Sequence, residues 1–356
     1  MAKSRCAPGG MQSFCAQSSQ GVDDVMNRSV SRRLLLAGIP ALATPTLLPS
    51  GAIAQGSWPD RPIRLIVPFG AGGAIDTLSR TVAAKFAEVT GGQTLVVENR
   101  AGAGGTIAGL TMSRERPDGL TLMMADVGAN AIGKELNPSL AYDPATAFTP
   151  IIHLVNLPAV LMAHPSVTAT TVRQVIDQAK ARPDGFTYSS AGNGNGSHLF
   201  MALFLKEAGI QMVHVPYRSG AEMVTALIRG DAQFGFPTVS SGIGQIRQGN
   251  AKAIAVGNAA GTPLLPNAPA VSTVLPGFEV AVWHGIVGPA GMDPALVRRI
   301  NEVFGRIAAM PDVKQRIFDT QAGTVVGGTP EAFGAHIARE IARWTPIIRE
   351  GGIRTE

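Results

Sequence analysis

The residues best placed to bind a ligand are a glycine-rich turn, Gly70–Gly73, and the acidic residue Asp76 that follows it. Three glycines in four positions free the backbone to bring consecutive N–H groups close to a ligand. Leu65–Val67 predict a buried strand before the turn, and from Ile75 the apolar spacing becomes that of a helix. A helix N-terminus carries partial positive charge and unpaired N–H donors, so this turn is a candidate seat for an anion.

This glycine turn does not match the two best-known phosphate-binding motifs. No Gly-Lys-Ser/Thr follows it, which excludes a P-loop, and its spacing fails the dinucleotide fingerprint. The pattern leaves two interpretations open, an anion site or a tight structural turn. Asp76 has alternatives too: it could hold a ligand's ammonium or hydroxyl group, position a water, or complement the helix dipole.

A second strand–turn–helix pattern repeats this arrangement in the middle of the chain. Phe186–Ser190 predict a strand, a glycine-rich turn follows, and an apolar helix runs from there to Gly209. The two donor-rich turns could face each other across a cleft. A further strand, Leu120–Ala125, is followed by Asp126 and Asn130 at the carboxyl end, where ligands of open α/β sheets collect.

The sequence argues against catalysis and metal binding. Ser197 and His198, with Asp76 or Asp126, suggest a hydrolase, but no Gly-x-Ser-x-Gly elbow is present and Ser197 fits better as a helix cap. No catalytic residue, metal site or cofactor is therefore predicted. The histidines that lack zinc-ligand spacing are His153, His164, His214, His284 and His336. Trp283 fits a core position and a ligand platform equally well.

Residues 1–54 are predicted to be a cleaved leader. Arg32-Arg33 opens an apolar stretch that ends near Ala54 with a small-x-small cleavage signal. This pattern predicts export to the periplasm, by the twin-arginine route or as an ordinary secretory protein. Both cysteines lie in the leader, so the mature chain has no thiol. The leader also holds five of the 30 basic residues and two of the 25 acidic ones. The mature chain is therefore nearly neutral, which gives no basis for nucleic-acid binding.

The order of elements predicts an α/β protein of two domains. Three βα units open the mature chain, as expected of a doubly wound parallel sheet, and a second α/β block begins at Leu157-Pro158. An amphipathic terminal helix, with Thr329 as N-cap and Pro330 at its first position, would return to the first domain. We therefore predict domain 1 over residues 57–156 plus 279–356 and domain 2 over residues 157–278.

Distinctive motifs occur in order along nearly all of the mature chain. They are Trp58–Phe69, Gly72–Asp76, Val97–Gly105, Pro117–Gly119, Tyr142–Pro144, Gly192–Gly194 with Ser197-His198, Val213–Tyr217, Trp283–Gly285, Pro289–Gly291 and Gly327–Glu331. Together these motifs resemble those of the Bug family, the extracytoplasmic solute-binding proteins of tripartite tricarboxylate transporters.

The resemblance implies a type II-like periplasmic-binding-protein fold, a Venus flytrap of two domains, each a mainly parallel sheet flanked by helices. It implies a non-catalytic receptor that encloses a small carboxylate and delivers it to the membrane permease subunits of such a transporter. Closure would be a hinge motion near Asn156 and Phe278. One alternative is an orphan receptor that presents its ligand to a sensor. Another is a periplasmic esterase that uses Ser197 and His198.

The resemblance also implies where the ligand binds. Backbone amides and hydroxyls of the two glycine turns would grip the carboxylate. The predicted ligand-binding residues are Phe69, Gly70, Ala71, Gly72, Gly73, Asp76, Asp126, Asn130, Ser190, Ala191, Gly192, Asn193, Gly194, Ser197, His198, Pro237, Thr238 and Trp283.

Three departures from the family pattern concern the ligand. Gly70-Ala71 stands where members usually have Pro-Pro or a similar pair, and Asn130 stands where many have His. Pro237-Thr238 replaces a common Asp-Asn pair, whose Asp would contact an amino group or order water. Its absence favours a plain di- or tricarboxylate, or an aromatic carboxylate, over an amino acid.

Overall fold

The computed structural model describes residues 58–354 of the 356-residue chain. The predicted leader, with its arginine pair and cleavage signal, lies outside the described residues. Within residues 58–354, no helix combines the length and the apolar character needed to cross a membrane.

The first part of the chain alternates strands with helices, as its apolar spacing predicts. Its elements are β1 (Ile63–Val67), α1 (Ala74–Thr90), β2 (Leu95–Asn99), α2 (Thr106–Met112), β3 (Thr121–Ala125), α3 (Gly133–Leu136) and β4 (Phe148–Pro158). A 3-10 turn, Ala103–Gly105, precedes α2, and a π-helical turn, Gly128–Ile132, precedes α3.

The middle of the chain builds a second set of elements. They are β5 (Val160–Ala163), α4 (Val172–Ala181), β6 (Thr187–Ser190), α5 (Gly196–Ala208), β7 (Val213–Pro216), α6 (Gly220–Arg229), β8 (Phe234–Gly235), α7 (Val239–Arg247) and β9 (Lys252–Val256). A 3-10 turn, Val271–Thr273, follows β9.

The last part of the chain returns to the first sheet and then becomes mainly helical. Its elements are β10 (Ala281–Pro289), α8 (Pro294–Ala309), α9 (Pro311–Gln321), β11 (Thr324–Gly327) and α10 (Pro330–Glu350). The prediction for the start of α10 is confirmed: the Thr329 hydroxyl accepts from the Ala332 amide at 3.2 Å, with Pro330 in the first turn.

The strands form two sheets. The six-stranded sheet has the order β11-β4-β10-β3-β1-β2, and the five-stranded sheet has the order β7-β6-β8-β5-β9. The first sheet thus takes strands from both ends of the described chain, and the second takes its strands from the middle. We call the two parts the first lobe and the second lobe.

The predicted two-lobed α/β fold is confirmed, and both of its sheets are mixed. The parallel pairs are β1 with β2 and β3, and β6 with β7 and β8. All pairs that involve β4, β5, β10 or β11 are antiparallel. The parallel character predicted from the βα units therefore holds for those units alone. The strands β4, β5, β10 and β11 run antiparallel to the strands with which they pair.

Helix α10 packs on both lobes. Phe333 lies against Gly285 of β10, where a Cβ atom would leave no room for the ring. Nearer the other end of the helix, the Trp344 ring lies 6.1 Å from that of Phe200 in α5. Phe333, Trp344 and Phe200 are all buried in one apolar cluster, so α10 is the element that joins the cores of the two lobes.

Candidate functional site

Three turns meet at the carboxyl edge of the first sheet. Because β1, β2 and β3 are parallel, their following turns (residues 68–73, 100–105 and 126–132) leave the sheet at the same edge. A Cβ atom at Gly105 would lie 3.2 Å from Pro68 Cβ and 3.2 Å from the Asp126 carboxylate. The φ of +90° at Gly105 also favours glycine. We call residues 68–73 the first glycine turn.

Asp76 holds the first glycine turn in place. Its Oδ2 accepts from the Gly72 amide at 2.8 Å and from Arg80 Nε at 3.0 Å, and its Oδ1 accepts from Asn99 Nδ2 at 2.9 Å. The same Asn99 amide donates to the Phe69 carbonyl at 3.0 Å. Asp76 is buried, with 2% of its surface exposed, so these contacts define its surroundings.

The charge of Asp76 is already compensated inside the protein. Burial alone would raise the pKa of Asp76, but the hydrogen bonds from Arg80, Gly72 and Asn99 lower the pKa below its usual value. The carboxylate therefore stays ionised and keeps its three partners. Of the roles open from the sequence, this geometry favours support of the turn over pairing with a ligand ammonium group.

The backbone of the first glycine turn is open. Gly70–Gly73 are exposed, and a Cβ atom at Gly70 or Gly72 would meet no atom within 4 Å. Among the described residues, the amides of Gly70, Ala71 and Gly73 have no hydrogen-bond acceptor. The φ of +83° at Gly72 requires the freedom of glycine. The turn thus offers N–H donors to solvent or to a ligand at the N-terminus of α1.

Asp126 and Asn130 belong to the turn after β3. Asp126 is buried and accepts from the Gly128 amide at 3.1 Å and the Ala129 amide at 3.2 Å. Burial raises the pKa of Asp126 to about 6, against the opposing effect of these two amides. Asn130 lies on the side of this turn that faces α10, where it lines a cavity beside Ile337. The two predicted site residues therefore point toward different surroundings.

The carboxyl edge of the second sheet carries the second glycine turn, residues 190–195. Most of its polar groups are paired internally. The Ala191 amide donates to Ser197 Oγ at 2.9 Å, the Gly192 amide to Ser190 Oγ at 3.2 Å, and the Gly194 amide to His198 Nδ1 at 3.1 Å. Among the described residues, the Asn193 amide has no acceptor.

The cap of α5 differs from the prediction. Asn195, not Ser197, is the N-cap residue, and its Oδ1 accepts from the Ser197 amide at 3.0 Å. Ser197 Oγ also donates to this oxygen at 3.1 Å. Asn195 caps the helix because its side chain reaches the amide two residues ahead. Ser197 lies inside the first helical turn and stabilises the glycine turn through its hydroxyl, which contacts the Ala191 amide and Asn195.

Buried His198 and half-buried His214 lie beneath the second glycine turn. The rings of His198 and His214 stack with centroids 3.9 Å apart, and Tyr188 stacks on His214 at 4.8 Å. His214 Nε2 lies 2.6 Å from Ser190 Oγ. Burial and the neighbouring His214 lower the pKa of His198 to about 3, and burial lowers the pKa of His214 to about 4. At neutral pH the stack is uncharged.

The second glycine turn contacts the first lobe. A Cβ atom at Gly194 would lie 2.5 Å from Leu136 Cδ1 in α3, and α3 follows the turn at the carboxyl end of β3. The carboxyl edges of the two sheets therefore adjoin each other. Asn193 and Asn195 are the exposed residues of the second turn, whereas Pro237 is buried and Thr238 is half-buried beside Ser240 and Ser241.

Trp283 lies in an aromatic cluster between β10 and α10. It is 2% exposed, and its indole N–H donates to Glu340 Oε2 at 2.9 Å. The same Glu340 oxygen accepts from Trp344 at 2.9 Å. Rings of Phe333 and His336 meet Trp283 edge-on at 5.8 and 5.1 Å. These contacts match the core interpretation of this residue, and they leave no exposed face for a ligand.

A cavity of about 450 Å³ lies away from this edge. Thr121, the first residue of β3, lines it together with Arg114, Glu115, Arg116 and Asp118. It therefore lies at the amino end of β3, opposite the glycine turns. Within residues 58–354, no group of three or more His, Cys, Asp or Glu side chains is arranged to hold a metal ion.

Three residues that shape the glycine turns were not predicted as site residues. Arg80 follows Asp76 by one helical turn, and this i,i+4 spacing predicts such a pair. Asn99 ends β2, beside the end of β1, where a parallel pair would place it. His214, in β7 beside β6, was weighed only as a metal ligand; its bond to Ser190 depends on strand pairing.

Comparison with known proteins identifies relatives over most of the chain. The family model of the tripartite tricarboxylate transporter family receptor, TctC, matches residues 78–353. Protein BugT of Bordetella pertussis (strain Tohama I) is 30% identical over 332 residues, which cover 92% of this chain and 99% of BugT. The predicted resemblance to the Bug family is thus confirmed.

Solved structures agree with this relationship. The R. palustris protein Rpa4515, solved with adipate, has a TM-score of 0.74 and 30% sequence identity, covering 83% of this chain and 99% of Rpa4515. MatC from Rhodopseudomonas palustris, solved with bound malate, has a TM-score of 0.71 and 27% identity, covering 82% of this chain and all of MatC.

Proposed function

This chain belongs to the tripartite tricarboxylate transporter receptor (TctC, or Bug) family, and from that premise we propose that it captures a small di- or tricarboxylate, or an aromatic carboxylate, between its two lobes. Members of the family are solute-binding receptors rather than enzymes. The receptor would act in the periplasm and deliver its ligand to the membrane subunits of a tripartite transporter.

The observation that carries this proposal is the set of free amides in the first glycine turn. Gly70, Ala71 and Gly73 present N–H groups without acceptors at the start of α1. Backbone donors at a helix N-terminus suit a carboxylate, because they supply both hydrogen bonds and partial positive charge. Asp76 stabilises this arrangement, because its Oδ2 accepts from the Gly72 amide at 2.8 Å.

The ligand proposed has no amino group. The charge of Asp76 is compensated by Arg80 at 3.0 Å, and Pro237 and Thr238 bring no carboxylate to the second lobe. An ammonium group would therefore lose its water shell without gaining Asp76 or a carboxylate of residues 237 and 238 as a partner. Adipate and malate, the ligands of the two structural neighbours described above, are the first compounds to test.

A thermal-shift screen of the mature protein tests this function. The panel contains adipate, malate, citrate, benzoate and glutamate, each at increasing concentration. A ligand at one hundred times its dissociation constant adds about 2.7 kcal/mol to the free energy of unfolding, which raises the melting temperature by several degrees. We expect one class of carboxylate without an amino group to respond. A response to glutamate alone would contradict the proposed ligand class.

A further inference from the structure

The last turn of helix α10 carries two neighbouring residues of opposite charge that pair with different lobes. Arg349 forms a bidentate ion pair with Glu135 of α3 in the first lobe, with Nε 2.7 Å from Oε2 and Nη2 2.8 Å from Oε1. Glu350 Oε2 lies 2.7 Å from Nζ of Lys206, which belongs to α5 in the second lobe. The two ion pairs therefore connect the lobes at one place, and we call them the α10 clasp.

The half of the α10 clasp on the first lobe has favourable geometry. A single exposed ion pair contributes little to stability, but two parallel bonds between arginine and a carboxylate are stronger and fix the orientation of both groups. The Glu135 side chain is 20% exposed, so solvent screens it only in part. Arg354 adds a contact, because its Nη1 donates to the Glu135 backbone carbonyl at 3.3 Å. The end of α10 is thus fixed on α3.

A second charged contact between α10 and α5 lies near the middle of the lobe junction. The Arg343 guanidinium lies 5.0 Å from the centre of the buried Trp344 ring. Burial lowers the pKa of this guanidinium, and the carboxylates of Glu340, Glu279 and Glu207 oppose that shift by attraction. Glu207 belongs to α5. Helices α10 and α5 therefore attract each other through charges of opposite sign on neighbouring residues of α5.

The α10 clasp is connected to the second glycine turn through two elements. Helix α5 begins directly after this turn, and Lys206 lies near its other end. In α3, the residue after Glu135 is Leu136, and a Cβ atom at Gly194 of the turn would lie 2.5 Å from Leu136 Cδ1. The position of the second turn relative to the first lobe therefore depends on both helices that the clasp joins.

We propose that the α10 clasp is a conformational device that holds the two lobes at a fixed angle and thereby sets the distance between the two glycine turns. Attraction between opposite charges keeps the end of α10 on α3 and α5 together. When either ion pair is lost, the lobes gain freedom to move relative to each other. The clasp acts at the lobe junction and does not depend on which ligand the protein binds.

Distances between two spin labels test the clasp in the ligand-free mature protein. Both cysteines of the chain lie within residues 1–54, so the labels attach only to introduced cysteines. Glu302→Cys in α8 and Lys180→Cys in α4 place one label on each lobe at an exposed position. In this background, pulsed electron paramagnetic resonance should give one principal distance.

Reversal of either charge should broaden this distance distribution. Lys206→Glu sets a carboxylate against Glu350, and Arg349→Glu sets one against Glu135. We expect each variant to raise the share of other distances about fivefold, as suits the loss of an ion pair of this exposure. An unchanged distribution in either variant would overturn the proposal.

Charge swaps and a matched control separate the clasp from a general effect of charge. Lys206→Glu combined with Glu350→Lys should restore the principal distance, as should Arg349→Glu combined with Glu135→Arg. Lys85→Glu removes ion pairs with Glu88 and Asp312 inside the first lobe, and it should leave the distribution unchanged. A broadened distribution that neither swap reverses, or that Lys85→Glu reproduces, would contradict the clasp.

Discussion

The two glycine turns have similar sequences but opposite states of hydrogen bonding. In the first turn, three backbone amides lack an acceptor, and the supporting side chains lie below it. In the second turn, the hydroxyls of Ser190 and Ser197 and the ring of His198 occupy the amides of Gly192, Ala191 and Gly194. A glycine-rich turn before a helix is therefore not by itself an anion site. What matters is whether nearby side chains have already used its donors.

The supports of the two turns also differ in charge. Asp76 is ionised and paired with Arg80, whereas His198 and His214 form a neutral stack. The first turn keeps its backbone amides unpaired beside the Asp76–Arg80 ion pair. In the second turn, side chains pair most of the backbone amides, and Asn193 is exposed to solvent. We expect the two turns to respond differently to acid, to mutation and to ligand.

Acid should produce the largest difference between the turns. Buried His198 and half-buried His214 resist protonation, because their pKa values are lowered to about 3 and about 4, whereas the unfolded chain takes up protons below the usual histidine pKa near 6.5. Stability is therefore lost as the pH falls from about 6.5 towards 4, by roughly 2 kcal/mol for the buried His198 at pH 5. The pKa of Asp76 is lowered, so its contribution is lost only as the pH falls below 3.8.

The double variant His198→Asn, His214→Gln tests this pH dependence. Its melting temperature should fall less between pH 7 and pH 5 than that of the wild-type protein, and the control His164→Gln should behave like wild type. Asp126 acts in the opposite direction, because its raised pKa favours the folded state as the pH falls from 6 to 4. Asp126 is present in every variant, so its contribution to the pH dependence is the same in each and does not affect the comparison. An unchanged pH dependence in the double variant would contradict the neutral stack.

Asp76→Asn should give the next largest effect, through the first turn. Asparagine has one acceptor oxygen, which can accept either from Gly72 and Arg80 or from Asn99. The Asn99 amide cannot turn over to accept instead, because its contacts with Phe69 and Arg80 fix its orientation. We expect a loss of about 2 kcal/mol in the free energy of unfolding, measured by urea denaturation. The matched control is Asp177→Asn, an exposed residue of α4. Equal stability of the two variants would show that Asp76 does not hold the turn.

Ser197→Ala should have a smaller effect on the second turn. The change removes the acceptor of the Ala191 amide and the donor to Asn195. We expect a loss of about 1 kcal/mol by urea denaturation, against no change for Ser272→Ala. Faster amide exchange at Ala191 should accompany the loss. Slow exchange at Ala191 in the variant would mean that another group pairs this amide.

Asn193→Ala should have the smallest effect on the fold and a measurable effect on the ligand. Its exposed side chain makes no hydrogen bond to the described residues, so stability should not change. If the second lobe grips the carboxylate through this side chain, affinity should fall a few-fold, as measured by calorimetry. Full affinity in the variant would limit the contribution of the second turn to its backbone and shape.

Local signals in the sequence predicted the elements around the site well. The strand before the first glycine turn, the helix after it and the cap of α10 follow from apolar spacing and from residues within one turn of each element. The direction of the strands at the lobe junction could not be predicted, because a buried strand has the same apolar pattern in either direction.

The hydrogen-bond partners of the site were the least predictable feature. Ser190 and His214 are 24 residues apart, and Trp283 and Glu340 are 57 residues apart. These pairs depend on how distant strands and helices pack, which no local pattern encodes. The sequence therefore indicated two equivalent turns, and the contacts of the folded chain distinguish them.

Calorimetric titration of a Gly73→Val variant tests the central claim most directly. A Cβ atom at Gly73 would meet only the Gly70 carbonyl oxygen, at 3.6 Å, and the φ of Gly73 is −75°, so the variant should fold. Its side chain would cover the free amides of the first glycine turn. With the carboxylate that responds in the thermal-shift screen, we expect at least 100-fold weaker binding, about 2.7 kcal/mol. Gly244→Val, in the exposed part of α7, should bind like wild type. Wild-type affinity in a folded Gly73→Val protein would contradict the account and place the carboxylate elsewhere.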